Sequence, residues 1–556
     1  MEKLSADIFI KILEYLPVQD QLNAAEVCEY FHKLIKKSIF KKKYKEIEVF
    51  KTDQHYIVSN KLYQRFNDNE KIPQFLITAE SRCLLRPEEF ITFLIINCTN
   101  LKTFSLVLNK KYNDNNNKYY KDLEYLKDIQ FKNLLHLHYQ GLNIAQNDYI
   151  QWLNLSYPNL EGLYLNNCRM NEELIVSTLK KINNLKMLKI ENENEYTINY
   201  KTIKSLVAEE KLKTLRLNVS INDFTEEDSL ETDLMFASSI ENLTIGCFEY
   251  ENTLWAFNSN SLKHLNNLRD LTLITANNFF IMEEFFTSLN TVCKHLESLS
   301  LQRCNIKNFI AISTLKRLEF RNCFGLTWQD FRTILTEMNL KSFSSLASRY
   351  KGEIECFNIN PSLEHISLHY NILNKIKNIF HLNENRLENL SSLNWSVDFT
   401  KQLWLNPINC PNLEMLKART KNISTENLMA FKSLKYLSLD VSEDFQLMDL
   451  LSILQHRYLQ TVSCTFVKLP EFIKSYTDEL MNFKTKLRNL NLCFVSVIPC
   501  EIMDLWINLL RKNTELTLRI EHSSVNFNVE FLTYICDNAT FRENLNINIC
   551  GLNVGK

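Results

Sequence analysis

One short apolar frame, Leu-x-x-Leu-x-Leu, recurs about every twenty-five residues through most of the chain, and this period limits the fold more than any other feature. The clearest copy runs Leu160-Glu-Gly-Leu163-Tyr-Leu165-Asn-Asn-Cys168. Other copies open at Leu185, Leu212, Ile240, Leu268, Leu296, Leu315, Leu363, Leu390, Leu413, Leu434, Leu459 and Leu487. The array begins weakly at Leu101, and poorer copies lie near Leu134, Leu340, Asn513 and Asn544. The array predicts about eighteen coils, each packed on its neighbours.

Alternation inside each frame predicts a short parallel strand, because two apolar side chains then enter a core while the residues between them face outward. Each strand needs a returning connector before the next parallel strand. Three segments between frames have helical periodicity, at residues 172–182, 200–208 and 282–291. We therefore predict an α/β solenoid shaped as a horseshoe, with strands on its concave side and helices on its convex side.

Three cysteines follow the strand of their frames directly, namely Cys168, Cys304 and Cys323. We predict that their side chains satisfy the backbone of the turn. A metal or redox site is the alternative, but neighbouring cysteines belong to different units at irregular intervals, and no Cys-x-x-Cys pair is present. We expect no metal and no cofactor. Reduced thiols also indicate a cytoplasmic and/or nuclear protein.

The residues before the first frame follow a helical pattern instead. Ser5 is a predicted helix cap, and Pro17 is expected to end the helix that follows. Asp20 is a second predicted cap. Apolar residues recur at helical spacing in the first segment, at Ile8, Phe9, Ile12, Leu13 and Leu16, and in the third, at Phe31, Leu34, Ile35 and Ile39. The pattern predicts three short helices.

Three short helices are too small to bury all of these apolar side chains against one another. Some of the side chains are therefore expected to face a partner protein or to cover the first unit of the repeat array. Helical spacing alone leaves both alternatives open.

The residue types of this segment resemble the F-box pattern, with an opening Leu4, a helix ending in Tyr15-Leu16-Pro17, an acidic turn at Asp20, and Val27-Cys28 before an aromatic residue. The resemblance extends from residue 4 to about residue 40. It implies a substrate receptor of an SCF-type ubiquitin ligase that binds a Skp-type adaptor and, through it, cullin and RING subunits. By this likeness the adaptor contacts are Leu4, Ile8, Ile12, Leu16, Pro17, Leu22, Val27, Cys28 and Phe31.

Two residues depart from the family pattern. Ser5 stands where proline is usual, and Phe31 replaces the more common tryptophan. Serine keeps a capping hydroxyl, and phenylalanine keeps an aromatic anchor of smaller area. We place the F-box at residues 1–45, a linker or degenerate first repeat at 46–98, and the repeat array at 99–556.

The array itself resembles the cysteine-containing leucine-rich repeats that occur with F-boxes, most clearly in Tyr157-Pro-Asn-Leu-Glu-Gly-Leu-Tyr-Leu and Cys410-Pro-Asn-Leu-Glu-Met-Leu. The co-occurrence of the two resemblances is more specific than either one. It implies that the concave strand face binds the protein to be ubiquitinated. Candidate contacts on that face are Tyr164, Arg216, Arg317, Glu319, Arg321, His365, His369, Lys417, Arg419 and Tyr436.

Two of these groups have alternative interpretations. Arg317 and Arg321 on either side of Glu319 have the spacing to hold a phosphate or carboxylate, although a solvated strand face with internal ion pairs explains them as well. The pair His365 and His369 shares one face but lacks a third ligand at a metal-site interval. Exposed histidines are the simpler interpretation.

The composition limits the function further. Lys+Arg of 64 against Asp+Glu of 65 gives a net charge of -1, so no general attraction to nucleic acid or to an anionic membrane is expected. The chain contains no Gly-x-Ser-x-Gly, His-Glu-x-x-His or P-loop motif, which indicates a non-catalytic protein. The sequence predicts an adaptor subunit with an unknown protein substrate. A ligase-independent repeat scaffold or inhibitor, whose N-terminal helices only cap the array, is the alternative.

Overall fold

The computed structural model describes residues 6–51, 56–59, 82–108, 129–141, 143–144, 157–170, 172–191, 197–218, 220–222, 234–246, 260–275, 280–351, 359–369, 386–396, 407–419, 425–441, 447–466, 485–494, 513, 515–522, 545–549 and 552–554. They fall into two compact units. Unit 1 comprises Met1–Lys71, Ile77–Ala276 and Thr291–His295, and unit 2 comprises Ile72–Leu76, Asn277–Asn290 and Leu296–Lys556. Each is an α/β structure with a parallel sheet.

Unit 1 begins with the predicted short helices. They are α1 Ala6–Glu14, α2 Val18–Val27 and α3 Glu29–Leu34, and α3 continues through a π-helical turn, Ile35–Phe40, into α4 Lys41–Lys43. The residue before α2 is Pro17, with φ at -53°, and no side chain caps this end. Asp20 was predicted as the cap but lies in the first turn of α2, where its carboxylate favours the helix dipole. The ring of Pro17 sets the backbone angle that starts the helix.

The third helical segment shares its core with the helix α5, Pro87–Asn97. Phe40, Tyr44 and Phe93 are at most 1% exposed, and their ring centroids lie 5.1–5.2 Å apart. The amide of Asn97 donates to the carbonyl of Tyr44 at 2.8 Å, and that of Asn100 donates to the carbonyl of Lys36 at 3.0 Å. The helical segment is therefore fastened to the rest of unit 1.

The segment between residues 46 and 98 contributes to the same structure. The strand β1 Glu46–Lys51 pairs in parallel with β4 Thr103–Leu108 and antiparallel with β2 Tyr56–Ser59, which in turn pairs with β3 Arg82–Leu85. This part of the chain, interpreted from sequence as a linker or a degenerate first repeat, supplies three strands and α5. The rest of it lies outside the described residues.

The parallel sheet of unit 1 continues from β4 through β5 His136–Gln140, β7 Gly162–Asn166, β9 Met187–Glu191, β11 Thr214–Asn218, β13 Asn242–Gly246 and β14 Asp270–Ile274. Short second strands follow some turns and pair in parallel with each other: β6 Asn143–Ile144 with β8 Arg169–Met170, and β10 Thr197–Asn199 with β12 Ser220–Asn222. These short pairs were not predicted from sequence.

The parallel sheet of unit 2 runs through β16 Ser298–Gln302, β18 Arg317–Arg321, β20 Ser342–Leu346, β22 His365–His369, β23 Ser392–Ser396, β24 Met415–Arg419, β25 Tyr436–Val441, β26 Thr461–Phe466, β27 Asn489–Phe494, β28 Thr517–His522 and β29 Leu545–Ile549. The strand β30 Leu552–Val554 then pairs antiparallel with β29. Short pairs occur here too, β15 Phe280–Ile281 with β17 Asn305–Ile306, and β19 Leu326–Thr327 with β21 Tyr350–Lys351.

The strands of each unit stack in register, so that buried side chains form continuous rows. Leu163, Leu188, Leu215, Leu243 and Leu271 are mutual neighbours across unit 1, and each is at most 2% exposed. A strand starts two residues after the opening apolar residue of every clear frame. Helices lie between strands at Glu172–Lys181, Tyr200–Val207, Glu283–Val292, Trp328–Thr336, Thr425–Met429 and Leu447–Leu454.

The cysteine prediction is confirmed by the turns after the strands. Cys168, Cys304 and Cys323 are 0% exposed and donate from Sγ to carbonyls of the strands, Cys323 to Leu301 at 3.1 Å. The residue before each cysteine has a positive φ, between 49° and 60°. Ser348 occupies the same place after β20 and donates to the carbonyl of Leu346. A small hydrogen-bonding side chain at this position therefore closes the turn.

A row of amides also links successive frames of the sequence, and the sequence interpretation missed it. The residue before the opening leucine of a frame is often asparagine, and its Nδ2 donates to a carbonyl in the previous frame at 2.5–3.3 Å. The members are Asn133, Asn159, Asn184, Asn267, Asn389 and Asn412, with Ser239, Ser362 and Ser433 donating from Oγ at equivalent places. These bonds satisfy carbonyls that the turns leave without a strand partner.

The turn before β26 depends on a neutral histidine, which predicts a pH effect on stability. His456 is 2% exposed, and its Nδ1 accepts from the N–H groups of Tyr458 and Leu459 at 3.3 Å. Burial lowers the pKa of His456 below its usual 6.5. The unfolded chain therefore binds a proton on His456 more readily than the folded chain does. The stabilisation that the neutral imidazole contributes is complete above about pH 6.5 and is lost as the pH falls below that value.

We expect His456→Asn, which keeps an acceptor but does not titrate, to unfold with a weaker pH dependence than the parent chain. Urea midpoints of unit 2 between pH 7.5 and pH 5 measure this. Parallel curves for the two proteins would exclude the titration of His456 as a cause of acid destabilisation.

Candidate protein-binding surfaces

The helix α1 carries two apolar stripes that face in different directions. Leu13 is 4% exposed and faces the interior. Ile8 and Ile12 lie at helical spacing on another side, Tyr15 follows directly after the end of α1, and the three are 45%, 49% and 90% exposed. Packing inside the unit accounts for the first stripe and leaves the second stripe in contact with solvent.

The junction of α2 and α3 exposes a second apolar group. Val27, the last residue of α2, is 73% exposed, and Tyr30 in the first turn of α3 is 47% exposed. Between them the exposed Cys28 caps α3, since its Sγ accepts from the N–H of Phe31 at 3.5 Å. The cap of α3 therefore fixes the α2–α3 junction, whose apolar side chains Val27 and Tyr30 are exposed.

Aromatic contacts bring these two groups together. The ring of Phe9 lies 6.1 Å from Tyr30 and 5.6 Å from Phe31, measured between centroids. Phe9 thus brings α1 against the first turn of α3, where Tyr30 and Phe31 lie. We call the exposed set the N-terminal ridge; it consists of Ile8, Ile12, Tyr15, Val27, Cys28 and Tyr30.

The structure sorts the residues expected at an adaptor contact. Ile8, Ile12, Val27 and Cys28 lie on the ridge, Pro17 is exposed, and Leu16 and Phe31 are half-buried. Leu4 lies outside the described residues. Leu22 is a correction, since it is 2% exposed and lies on α2, which packs between α3 and α5.

The sequence interpretation missed two residues of the ridge, Tyr15 and Tyr30. Tyr15 follows Ile8 by seven residues, so the helical period of the outer stripe already indicated it. Tyr30 precedes the half-buried Phe31, and no pattern in the sequence distinguishes these two neighbours.

The strand face of unit 1, meaning the sheet face that carries the residues between the buried ones, has an aromatic and basic group. Tyr164 lies 6.3 Å from the rings of both His136 and His138, and Nζ of Lys189 lies 5.2 Å from its centroid. Arg216 follows Lys189 on the next strand. Two of the predicted contacts, Tyr164 and Arg216, therefore share one face.

The charge of Arg216 is compensated. Its Nε lies 2.5 Å from a carboxylate oxygen of Glu191, and the two side chains are 14% and 26% exposed. An ion pair that is so little exposed is screened less by solvent than a surface pair. Arg216 is therefore held in place before any partner arrives.

On unit 2, two of the three charged residues predicted as a binding group, Glu319 and Arg321, form an ion pair with each other. Nη2 of Arg321 lies 3.0 Å from Oε1 of Glu319, and the hydroxyl of Ser300 donates to the other carboxylate oxygen at 3.1 Å. A phosphate at Arg321 would have to displace Glu319. Arg317 is exposed at the start of the same strand.

The remaining predicted contacts lie further along the sheet of unit 2. His365 is exposed at the start of β22, Lys417 is half-buried in the middle of β24, and Tyr436 is 41% exposed at the start of β25. His369 and Arg419 end their strands, and their side chains lie outside the described residues.

Comparison with known families decides the nature of the N-terminal helices. Residues 1–43 match the F-box domain. F-box domains bind Skp-type adaptors within SCF ubiquitin ligases, and the proteins that carry them are typically non-catalytic substrate receptors. The match covers the whole N-terminal ridge. No curated protein matches the chain.

The F-box region also contains a run of lysines that could suggest another partner. Lys41, Lys42 and Lys43 are exposed at the end of the helical segment, where positive charge favours the helix dipole. The following Tyr44 is buried against Phe93. The run therefore has a structural explanation in the F-box fold.

Other kinds of site find no support in the part of the chain that the structure covers. Among the described residues, no group of three or more His, Cys, Asp or Glu side chains could hold a metal ion. None of the described helices has the length and apolarity needed to cross a membrane.

Proposed function

We propose that this protein is the substrate-recognition subunit of an SCF-type E3 ubiquitin ligase. In this proposal the N-terminal ridge docks on a Skp-type adaptor, and the strand face of the repeat array holds the protein to be ubiquitinated. The observation that carries the proposal is the exposure of the ridge inside a segment that matches the F-box domain.

The ridge has the properties of a binding surface. Ile8 and Ile12 are about half exposed and Val27 is more exposed still, although each is a large aliphatic residue. Burying one such side chain contributes about 1.5–3 kcal/mol. An apolar group of this size on a folded unit therefore favours a protein partner.

Several features support the assignment of the rest of the chain to leucine-rich repeats arranged as a solenoid. The strands are parallel, their leucines stack in register, and turn cysteines and asparagines bridge successive frames. A parallel stack in which each repeat packs only on its neighbours has no natural limit on length. Such an array offers a long strand face to a substrate.

The proposed role needs no catalytic residue in this chain. A receptor that holds a substrate near a charged conjugating enzyme raises the effective concentration of the substrate lysine beside the thioester. Cullin and RING subunits would reach the chain through the adaptor. None of the cysteines that the structure describes is in a disulfide, which supports placing the protein in the reducing cytoplasm and/or nucleus.

Cys28 provides the test of the proposal, because it is an exposed thiol on the ridge itself. We expect iodoacetamide to alkylate Cys28 in the isolated chain and to do so at least about tenfold more slowly when a purified Skp-type adaptor is bound, since a buried thiol loses contact with the reagent. Peptide mass spectrometry measures the rate. Cys493, half-buried on unit 2, is the internal control and should react equally in both samples. Unchanged alkylation of Cys28 in an isolated complex would place the adaptor elsewhere.

A further inference from the structure

The strand face of unit 2 contains a stretch of unusually small side chains. The neighbouring strands β20, β22 and β23 have two outward positions each before their last residue, and the exposed His365 holds one of the six, between Ser342 and Ser392. The other five hold Ser342, Ser344, Ser367, Ser392 and Asn394, all partly exposed. We call this set the serine floor. Small side chains let the backbone of a bound polypeptide approach the sheet, and their hydroxyl and amide groups can exchange hydrogen bonds with it.

The serine floor is preorganised and has an end on each side. The amide of Asn394 donates to the hydroxyl of Ser367 at 3.0 Å, which fixes both side chains. On one side β18 presents Arg317 and the Glu319–Arg321 pair, and on the other side β24 begins. Strands lie about 4.8 Å apart, so the distance from β18 to β24 is about 19 Å, enough for five or six extended residues.

The far end of the floor carries an apolar pair. Met415 and Tyr436 occupy equivalent positions on β24 and β25 and are directly paired in the register of the sheet. They are 48% and 41% exposed, although the sheet buries large apolar residues elsewhere in the same strands, such as Leu416 and Leu437. We call Met415 and Tyr436 the apolar shelf. Its position on the outward face gives it no role in the core.

A cation stands beside the shelf. Lys417 follows Met415 by two residues on the same face of β24, and it makes no hydrogen bond or ion pair with any side chain that the structure describes. Asp440, which lies on the same face of the neighbouring strand β25, already has another interaction. An acidic group of a partner would complement Lys417 without displacing a resident carboxylate, in contrast to Arg321.

We propose that the apolar shelf and Lys417, together with the serine floor, form a docking site for an extended peptide segment that carries an apolar residue next to an aspartate or glutamate. The apolar side chain rests on Met415 and Tyr436, the carboxylate pairs with Lys417, and the backbone crosses the floor. This inference rests on the proposed function, because it names the class of substrate segment that the strand face accepts.

A peptide display library with random dodecapeptides tests the site without knowledge of the substrate. Selected on the full chain, it is expected to enrich peptides in which an aromatic or aliphatic residue adjoins an acidic one. Selection on Lys417→Glu is expected to reverse the charge preference, enriching Lys or Arg at that position. Lys432→Glu is the matched control: Lys432 is exposed in the turn before β25, away from the strand face, and its selection should equal that of the parent chain.

The best peptide of the parent chain, made synthetically with a fluorophore, then gives affinities by fluorescence anisotropy. Tyr436→Ser is expected to weaken it at least about tenfold, the effect of losing about 1.4 kcal/mol of apolar contact. Thermal melting of each variant should match the parent chain, because the substituted side chains lie outside the core. No acidic enrichment, or the same enrichment on Lys417→Glu, would overturn the proposal.

Two further outcomes distinguish a peptide site from a self-association surface and from the ligase role. If the chain elutes as a dimer that Tyr436→Ser converts to a monomer, the shelf is a self-association surface and the peptide site is overturned. Adaptor binding is measured on the same preparations: a chain that selects the expected peptides without binding the adaptor contradicts only the ligase assignment. A chain that binds the adaptor and selects no acidic peptides contradicts only the docking site.

Discussion

Replacing Ile8 and Ile12 together by glutamate should abolish binding of a purified Skp-type adaptor while the chain keeps its fold. Both side chains are about half exposed, so the substitution removes little packing from unit 1. In a complex the same positions would be desolvated, and a buried carboxylate without a partner is strongly unfavourable. We expect affinity to fall at least a hundredfold, or about 2.7 kcal/mol, as for the loss of a central contact. Isothermal titration calorimetry measures it.

The chain offers a closely matched control for this experiment. Ile95 on α5 is 54% exposed in the same unit but lies outside the N-terminal ridge. Ile95→Glu introduces the same charge at similar exposure and should leave adaptor affinity within a factor of two or so. Equal weakening by the two variants would indicate a general effect of charge on unit 1. Full binding by the double variant would rule out the ridge as the adaptor site.

Truncating Phe93 to alanine is expected to destabilise unit 1 by about 3–5 kcal/mol, because it opens a cavity between α5 and the end of the N-terminal helical segment. The ring of Phe93 is 0% exposed and contacts both Phe40 and Tyr44. Loss of this contact should loosen the third helical segment and β1 together. Hydrogen exchange read peptide by peptide, over residues 29–51 and 87–108 in increasing denaturant, measures the effect locally.

An exposed phenylalanine provides the comparison for Phe93. Phe280 on β15 is 45% exposed and contacts Lys307, whose Nζ lies 4.5 Å from its centroid. Phe280→Ala should cost less than about 1 kcal/mol, since little packing is removed. If Phe93→Ala left exchange in residues 29–51 unchanged, the F-box would be an independent module and the shared core described above would not stabilise it.

The Ile8/Ile12 variant and the Phe93 variant probe opposite sides of the N-terminal helical segment. From sequence, the N-terminal helices were either a docking surface or a cap on the repeat array. In the structure, Phe40 and Tyr44 are buried against α5, as residues of a cap would be, whereas Ile8, Ile12 and Val27 are exposed. The N-terminal helical segment is thus joined to the rest of unit 1 through its core. The proposed adaptor would then be held at a defined position relative to β1.

The frames in the sequence predicted the strands well because their signal is local. An apolar residue at every second position needs a buried face, and a leucine two residues earlier fixes where the strand begins. Thus Leu160 and Leu413, each 0% exposed, mark the starts of β7 and β24. The role of Cys323 was predictable for the same reason, since a turn after each strand needs a donor side chain.

The exposure of the predicted binding residues could not be derived from the sequence, and Leu22 shows why. Its type and its place in the F-box pattern resemble those of Ile8 and Ile12, yet it is 2% exposed. The side of α2 that is covered depends on α3 and on α5, which begins at Pro87, far along the chain. Arg321 is similar, because its pairing with Glu319 lowers its availability to a ligand.

The sequence by itself determined the strand positions and the turn cysteines of this protein, because both depend on the spacing of neighbouring residues. Only the tertiary structure decided that the F-box and α5 share one core, that Leu22 is inside while Tyr15 and Tyr30 are outside, and that Met415, Tyr436 and Lys417 adjoin the serine floor. Exposure and contact depend on segments that are distant along the chain, and local periodicity carries no information about them.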